Sequence, residues 1–325
     1  MKKRYWFLAI LLVIGAAFAI ASLPPSYQYV ERPLPDNFET FYRQQLLTSQ
    51  QHGARTNNEE KWLRFSEGKT PLAFLYIHGF TASRGEGEMV VDSLAKLYQA
   101  NTYYLRLPGH GTNPDDHAQA KFNEFLDCAT DALRMMQTQG EKVIIIGTSM
   151  GGLIATYLAA NYPDMVDGLV LCSPFYDYAG TEGKALKIPG MLGLVKLLDG
   201  PDRTFKRDSL WESQRMDGYD NYWYSKVQRY NALYSLENLR KYAAGRTYYK
   251  KVKAPVAMLY YYKDEKHQDP TASVKAMLNA FDAFESGIKQ KYPIADGNHV
   301  LTSAYVKSDK AAVINSITQF IAKLN

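Results

Sequence analysis

Cysteine is scarce in this chain, and long basic runs are absent beyond the first few residues. Only Cys128 and Cys172 are present, far apart and without CxxC or metal-like spacing. We expect both to be small buried residues, with a single disulfide as the alternative. The formal net charge of +5 is mild for 325 residues, so a nucleic-acid partner has no support. Repeats and low-complexity tracts are also missing from the sequence.

One long apolar run is present, near the start. Basic residues at positions 2–4 precede an uncharged run from Tyr5 to Leu23, and prolines at 24 and 25 end it. A helix of that length is about long enough to cross a hydrocarbon core of ~30 Å. Residues 1–25 are therefore expected to anchor the chain in a membrane, with the remainder on the periplasmic or extracellular face. A cleaved signal peptide, giving a secreted or periplasmic protein, is the alternative, because Ala19-Ile20-Ala21 resembles a cleavage site.

Further along, apolar runs typical of buried strands alternate with segments that have helical spacing of apolar residues. The run Leu72–Ile77 is continuously apolar, as a strand buried on both faces requires. This alternation predicts an α/β fold, a mostly parallel sheet with helices on both faces. The other predicted strands are 102–107, 143–146, 168–171, 256–262 and 288–292, and the predicted helices are 89–98, 122–136, 153–160, 271–284 and 309–324.

The alternation is interrupted after Pro174. Residues 175–250 are rich in tyrosine and contain short helical patterns without a convincing strand. The predicted organisation is a linker and short helix over 26–59, a core formed by 60–174 and 251–325, and an inserted helical lid over 175–250. Ligands of open α/β sheets bind beyond the carboxyl ends of the strands, so an insertion leaving that edge is expected to cover such a site.

The stretch Gly147-Thr148-Ser149-Met150-Gly151 joins a predicted strand to a predicted helix. A Gly-x-Ser-x-Gly sequence in that context forms a sharp turn in which the serine adopts strained dihedral angles and is exposed at the end of the sheet. The amides at the start of the next helix favour negative charge beside the serine. Ser149 is therefore the candidate nucleophile.

A serine nucleophile needs a base that accepts its proton and an acid that orients the base. His299 is the candidate base because it follows the last predicted strand and precedes the last helix. Asp264, just after the strand 256–262, is the candidate acid. Glu265 and Asp269 are the other carboxylates of this loop, and Asp269 is better explained as a cap on the following helix. The remaining histidines fit less well: His52 lies in the linker, His78 and His110 in glycine turns, His117 in a polar loop, and His267 too close to the acid.

A tetrahedral intermediate also needs hydrogen-bond donors for its oxyanion. The backbone amide of Met150, directly after the serine, is one candidate. The amide of Phe80 is the other, because Gly79 in the turn His78-Gly79-Phe80-Thr81 allows close approach of the backbone. His78 itself is expected to pack the turn.

Five motifs in order along the chain resemble the α/β-hydrolase superfamily, most of all its carboxylesterase, monoacylglycerol-lipase and serine-aminopeptidase-like group. The resemblance extends over about residues 60 to 323 and implies that Ser149, Asp264 and His299 form a triad, with Phe80 and Met150 as oxyanion donors. It also implies a lid and no metal or organic cofactor. The motifs are HGFTAS at 78–83, RLPGHGT at 106–112, GTSMGG at 147–152, KDEKHQDP at 263–270 and GNHVLT at 297–302.

The function expected from these residues is that of a serine hydrolase that cleaves carboxylic esters through an acyl-enzyme on Ser149. Acyl esters and monoacylglycerol-like or lysolipid-like molecules are the expected substrates. A peptidase or amidase of the serine aminopeptidase type, with the same triad, is the alternative. A non-catalytic binding protein is disfavoured because no triad member is missing. The expected partners are a small-molecule ester and, through the N-terminal segment, a membrane; the oligomeric state is left open.

Overall fold

The described residues form a seven-stranded sheet whose first strand is antiparallel to its neighbour, while the other pairs are parallel. The computed structural model describes residues 15–16, 18–203, 222 and 227–324. The spatial order of the strands is β1-β3-β2-β4-β5-β8-β9. A separate two-stranded ribbon pairs β6 with β7. The strands are β1 (Lys61–Leu63), β2 (Thr70–Ile77), β3 (Asn101–Leu105), β4 (Gly140–Thr148), β5 (Gly168–Cys172), β6 (Asp202–Arg203), β7 (Gln228–Arg229), β8 (Val256–Tyr261) and β9 (Lys289–Ile294).

Helices cover both faces of the large sheet, because alternate residues of its buried strands point to opposite sides. On β2, Leu75 packs into a cluster with α1, α4, α5 and α10, whereas Phe74 packs into a second cluster with α2 and α11. The predicted α/β class, with a mostly parallel sheet between two helical layers, is confirmed. The helices are α1 (Phe38–Gln51), α2 (Glu88–Tyr98), α3 (Pro114–Gln119), α4 (Phe122–Met136), α5 (Met150–Asn161), α6 (Thr181–Ala185), α7 (Met191–Asp199), α8 (Ala232–Ala243), α9 (Arg246–Tyr249), α10 (Val274–Ala283) and α11 (Lys310–Ile321).

The helix that carries the site, α5, is buried on every side from Met150 to Ala160. A surface helix would show a polar face, so an apolar circumference marks a helix packed within the protein. Its small residues allow close packing against the sheet. Because β4 lies in the middle of the sheet, the turn between β4 and α5 lies at the centre of the carboxyl edge.

Helices α6 to α9 and the β6–β7 ribbon lie between β5 and β8 in the chain, where the sequence predicts an insertion. Part of it, residues 204–221 and 223–226, lies outside the described residues. The bounds of the lid, and its role as a lid, stay a prediction.

The segment before α1, within the predicted linker, contacts α4. Tyr27 Oη donates a hydrogen bond to Asp127 on α4 at 2.7 Å, and Tyr29 Oη donates to Asp131 one turn later at 2.6 Å. Arg32 Nε also donates to Asp131, at 2.6 Å. These contacts place residues 27–32 along the surface of α4.

The predicted membrane location is contradicted. Within the described residues, no helix is both long enough and apolar enough to cross a bilayer. Residues 1–14 and Ala17, which include most of the apolar run, lie outside the described residues. The predicted anchor over 1–25, the expected membrane partner and the placement of the catalytic domain across a membrane have no support in the structure.

The expectation of a buried free cysteine is confirmed for Cys172. Cys128 is partly buried and Cys172 is buried, and both are free thiols, so the alternative of a disulfide is wrong.

Candidate active site

Ser149 occupies a strained turn between β4 and α5. Its φ of 53° and ψ of −117° lie in a region of backbone angles that residues other than glycine rarely adopt. A Cβ on Gly147 would lie 2.5 Å from the carbonyl oxygen of Gly151, and a Cβ on Gly151 would lie 2.0 Å from the carbonyl oxygen of Ile77. Both obstacles are backbone atoms that cannot rotate away. The turn therefore has the geometry that the sequence predicts.

His299 lies within hydrogen-bond distance of the serine, although 150 positions separate the two residues in the chain. The Oγ of Ser149 and the Nε2 of His299 are 2.8 Å apart, and the side chains are almost completely buried. His299 reaches the serine from the loop between β9 and α11. At this distance the hydroxyl can donate its proton to an unprotonated Nε2.

The carboxylate that contacts His299 is that of Asp269, and the prediction of Asp264 is corrected. The Oδ2 of Asp269 lies 2.7 Å from His299 Nδ1, and its side chain is fully buried. Asp264 lies on the surface, where its carboxylate accepts a hydrogen bond from the ring of His267 at 2.8 Å.

A tight excursion of the chain after β8 explains why the later aspartate takes this place. Tyr262 and Gln268 form a β-bridge, and the amide of Lys263 donates to the carbonyl of His267 at 2.8 Å. The amide of Asp269 then donates to Tyr261, the last residue of β8, at 3.1 Å. Residues 262–268 therefore fold back on themselves, and Asp269 is the residue that follows the strand in space.

The helix-cap interpretation of Asp269 is wrong, because α10 begins at Val274 and its N-cap is Ser273, whose side chain accepts from the Ala276 amide. Asp269 instead bonds two amides of the turn before the helix. Its Oδ1 accepts hydrogen bonds from the amides of Thr271 and Ala272, at 2.8 and 2.9 Å, while Oδ2 contacts His299. Asp264 accepts from the amides of Lys266 and His267, which is the pattern of a local Asx turn. An Asp three residues before a histidine in a polar loop was thus the signal that Asp264 closes a turn.

The charge environment of His299 favours its protonated form. Burial alone would lower the pKa of His299, but the adjacent carboxylate of Asp269, with a smaller contribution from Glu86, outweighs burial and raises the pKa above its usual value. A raised pKa makes the imidazole a stronger base, which suits a group that must take a proton from a hydroxyl.

The two backbone amides predicted as oxyanion donors belong to residues in or beside the turn at Ser149. Met150 is the first residue of α5, so its N–H has no acceptor within the helix. Phe80 follows Gly79, and a Cβ on Gly79 would lie 3.2 Å from the Cβ of Ser149. The segment His78-Gly79-Phe80, here termed the oxyanion loop, therefore lies directly against the serine.

His78 holds the oxyanion loop in place, as expected. Its Nε2 accepts the amide of Leu107 at 3.1 Å, and its Nδ1 lies 2.8 Å from the carbonyl oxygen of Gly79. Donation from Nδ1 to that carbonyl fixes the tautomer. His78 thus connects the end of β2 with the chain after β3.

The sequence did not predict that three of the histidines meet. His78, His110 and His117, here termed the histidine cluster, are buried with ring centroids 5.0 Å apart for the first pair and 4.5 Å for the second. Phe80 lies 4.6 Å from the ring of His117. Burial lowers the pKa of His78 to about 4, that of His117 to about 3, and that of His110 well below its usual value. The cluster is therefore neutral and forms the packed wall behind Phe80.

The chemistry available at the site is that of ionisable side chains and amides. Across the described part of the chain, no group of three or more His, Cys, Asp or Glu side chains is arranged to hold a metal ion. A hydroxyl, an imidazole, a buried carboxylate and two amides are the groups that acyl transfer requires.

Comparison with known proteins identifies the fold. A model of the α/β-hydrolase fold family matches residues 73–192, which include the oxyanion loop and Ser149. The chain is 29% identical over 96 residues to a thermostable monoacylglycerol lipase of Bacillus sp. (strain H-257), covering 29% of this chain and 38% of the relative. Over 111 residues it is 32% identical to putative esterase/lipase 2 of Mycoplasma genitalium, covering 34% of this chain and 40% of that protein. The chain thus matches about two fifths of the length of these curated relatives.

Solved structures match over far more of the chain. The monoacylglycerol lipase of Paleococcus ferrophilus superposes with a TM-score of 0.60 at 16% identity, covering 82% of this chain and 98% of that one. A structure from a study of the metagenome-derived lipolytic enzymes LipS and LipT has a TM-score of 0.66 at 17% identity, covering 83% and 99%. At such low identity these structures show the fold alone. With the family match, they confirm the resemblance to the α/β-hydrolase superfamily.

Proposed function

We propose that this α/β hydrolase is a serine esterase that cleaves carboxylic esters through an acyl-enzyme on Ser149, with His299 as base and Asp269 as the acid that orients it. The observation that carries the proposal is the continuous chain of contacts from Ser149 Oγ to His299 Nε2 at 2.8 Å and from His299 Nδ1 to Asp269 Oδ2 at 2.7 Å. The coarser statement, that the chain is a hydrolase of the esterase and lipase type, is supported by its fold and its relatives.

In the first half of the reaction, the Oγ of Ser149 forms a bond to the ester carbonyl carbon while its proton moves to His299 Nε2. The carbonyl π electrons move to oxygen, and the amides of Phe80 and Met150 donate hydrogen bonds to the oxyanion. The intermediate then collapses, the bond from carbon to the alcohol oxygen breaks, and Nε2 gives its proton to the leaving alcohol. The products are an acyl-Ser149 ester and a free alcohol.

In the second half, water repeats the attack on the acyl carbon. His299 Nε2 takes a proton from the water, and the same two amides bind the second oxyanion. Collapse breaks the bond to Ser149 Oγ, which regains the proton and releases a carboxylic acid. Throughout, Asp269 accepts the hydrogen bond from Nδ1–H and stabilises the positive charge on the ring.

The substrate class follows from the relatives as an expectation. Their names include a monoacylglycerol lipase and a pimeloyl-(acyl-carrier protein) methyl ester esterase, both of which act on acyl esters. We extend ester cleavage to this chain and leave the acyl length to experiment. A peptidase with the same triad would use the same groups on an amide bond.

A ladder of p-nitrophenyl esters from acetate to palmitate, assayed beside aminoacyl p-nitroanilides, tests the proposal. The wild type is expected to cleave at least one ester with kcat/KM at least about 100-fold above that for any anilide, and Ser149→Ala is expected to lose this activity. Preference for the anilides would favour a peptidase. Equal ester cleavage by Ser149→Ala would place the nucleophile elsewhere.

A further inference from the structure

A buried carboxylate lies directly against the oxyanion loop. Glu86 is 2% exposed, and its Oε2 accepts hydrogen bonds from the Gly79 amide at 2.6 Å and from Tyr76 Oη at 3.2 Å. Its Oε1 would lie 2.8 Å from a Cβ on Gly79, so the carboxylate packs directly against that glycine. Glutamate is almost never fully buried unless its charge is compensated.

Hydrogen bonds connect Glu86 to the other segments that carry the site. Tyr76 Oη lies 3.2 Å from Thr148 Oγ1, and Thr148 Oγ1 lies 3.4 Å from Thr302 Oγ1. Thr302 in turn donates to the carbonyl oxygen of Glu86 at 2.7 Å. Thr148 directly precedes Ser149, and Thr302 follows shortly after the base. The network therefore joins the oxyanion loop, the nucleophile turn and the histidine loop beneath the site.

We propose that Glu86 is a positioning residue for ester hydrolysis: by accepting the Gly79 amide, its carboxylate fixes the direction of the next amide, that of Phe80, toward the oxyanion. The inference rests on the proposed function. The peptide that carries the Phe80 N–H is held at its carbonyl by His78 Nδ1, at 2.8 Å. Glycine has wide backbone freedom, so the orientation of this peptide also depends on a contact that fixes the N–H side of Gly79. The carboxylate of Glu86 accepts a hydrogen bond from the Gly79 N–H and fills the space beside the Gly79 Cα.

The size of the effect follows from the role of the donor. Removing one oxyanion donor typically lowers kcat by about 10²- to 10³-fold, because the interaction is made chiefly in the transition state. A misdirected Phe80 amide should approach that loss. Substrate binding involves the ground-state carbonyl, so KM should change little.

The charge on Glu86 adds a second, independent readout. Burial raises the pKa of Glu86 to about 7, although the Gly79 amide, the nearby His299 and the Tyr76 hydroxyl lower it. The titratable groups around it are Tyr76 on β2, Cys172 on β5 and His299. The negative charge of Glu86 contributes to the raised pKa of His299, so removing the charge should move the acid limb of kcat/KM to lower pH.

Two substitutions separate the hydrogen bond from the charge. In Glu86→Gln the side-chain carbonyl still accepts the Gly79 amide, so kcat at pH 8 should stay within about tenfold of the wild type while the acid limb moves down. In Glu86→Leu a side chain of similar size has no acceptor, and kcat should fall about 10²- to 10³-fold with KM within a few-fold. Glu88→Gln is the matched control, since Glu88 forms ion pairs with Lys61 and Arg84 outside the site; its activity should be unchanged.

Kinetics on the best p-nitrophenyl ester, with thermal melting of each variant, decide the matter. A folded Glu86→Leu with kcat within threefold of the wild type would overturn the inference. If Glu86→Leu does not fold, Glu86→Asp decides, because its shorter side chain draws the acceptor away from the Gly79 amide. A folded Glu86→Asp with the kcat of the wild type and of Glu86→Gln overturns the inference, and a lower kcat at unchanged KM supports it. Failure of the proposed function is distinct, because it would appear as an inactive wild type or an active Ser149→Ala.

Discussion

The exchange of Asp269 for Asn should disable the site without unfolding it. The Oδ1 of Asp269 is held by the amides of Thr271 and Ala272 at 2.8 and 2.9 Å. In the variant these two donors orient the amide side chain so that its oxygen occupies the Oδ1 position. The NH2 group then points at His299 Nδ1, where Oδ2 lies 2.7 Å away in the wild type. An NH2 group can only donate, so Nδ1 must accept.

The consequence is the wrong tautomer of the base. With Nδ1 as acceptor, the ring proton resides on Nε2, which can no longer take the proton of Ser149. Loss of the correct tautomer lowers kcat by about 10⁴-fold, or about 5 kcal/mol of transition-state stabilisation at about 1.4 kcal/mol per tenfold. The hydrogen bonds from the Thr271 and Ala272 amides are retained, so the melting temperature should change little.

Steady-state kinetics on a p-nitrophenyl ester at pH 8 measures the effect, and Asp264→Asn is the matched control. Asp264 and the ring of His267 are both exposed, so breaking their pair should leave kcat within twofold. The reasoning is refuted if Asp269→Asn keeps kcat within tenfold of the wild type, or if Asp264→Asn shows the larger loss.

Three further outcomes are expected. Since activity needs neutral His299, whose pKa is raised by Asp269, the acid limb of the kcat/KM profile should lie above about pH 6.5, and a limb below that value would contradict the electrostatics. Unfolded histidines bind protons below about pH 6.5, whereas the histidine cluster resists protonation when folded. The free energy of unfolding, measured with urea, should therefore fall as the pH drops, by about 3 kcal/mol at pH 4 from His78 alone. A constant free energy of unfolding between about pH 6.5 and pH 4 would count against a buried neutral cluster. Gly151→Ala should destabilise the fold by about 3 kcal/mol, because the new Cβ would meet the backbone of Ile77. Gly193→Ala on α7, where a Cβ would have nothing within 4 Å, should stabilise the fold by about 0.5–1 kcal/mol. Equal melting temperatures of the two variants would contradict the close packing at Gly151.

The central elements of the fold were predictable because each has a recognisable pattern in its own stretch of sequence. The strands β2 and β4 are long and apolar, and helices with a clear polar face, such as α4, have an unmistakable period. The edge strand β1 was missed because three residues, Lys61 to Leu63, are too few to show a period. Its pairing with β3 depends on a contact about 40 residues away in the chain.

The candidate site also contains parts that local sequence predicts and parts that depend on distant contacts. The turn at Ser149 has a local sequence signature, because steric crowding at Gly147 and Gly151 restricts the residues that fit. Which carboxylate contacts His299 depends on how residues 262–268 fold back, and distance along the chain misled the prediction toward Asp264. Glu86 was missed for a related reason: its role is defined by contacts with Gly79 and Thr302, and the second lies 216 positions away.

Covalent labelling tests the central claim, that Ser149 is the nucleophile, most directly. The native protein is treated with a fluorophosphonate, digested, and mapped by mass spectrometry, beside Ser149→Ala and a heat-denatured sample. The account predicts one adduct, on the peptide that contains Ser149, with no labelling of Ser149→Ala or of the denatured protein, since reactivity depends on His299 at 2.8 Å in the folded site. Labelling of Ser149→Ala at the wild-type rate, or an adduct on another residue in the native protein, would contradict it.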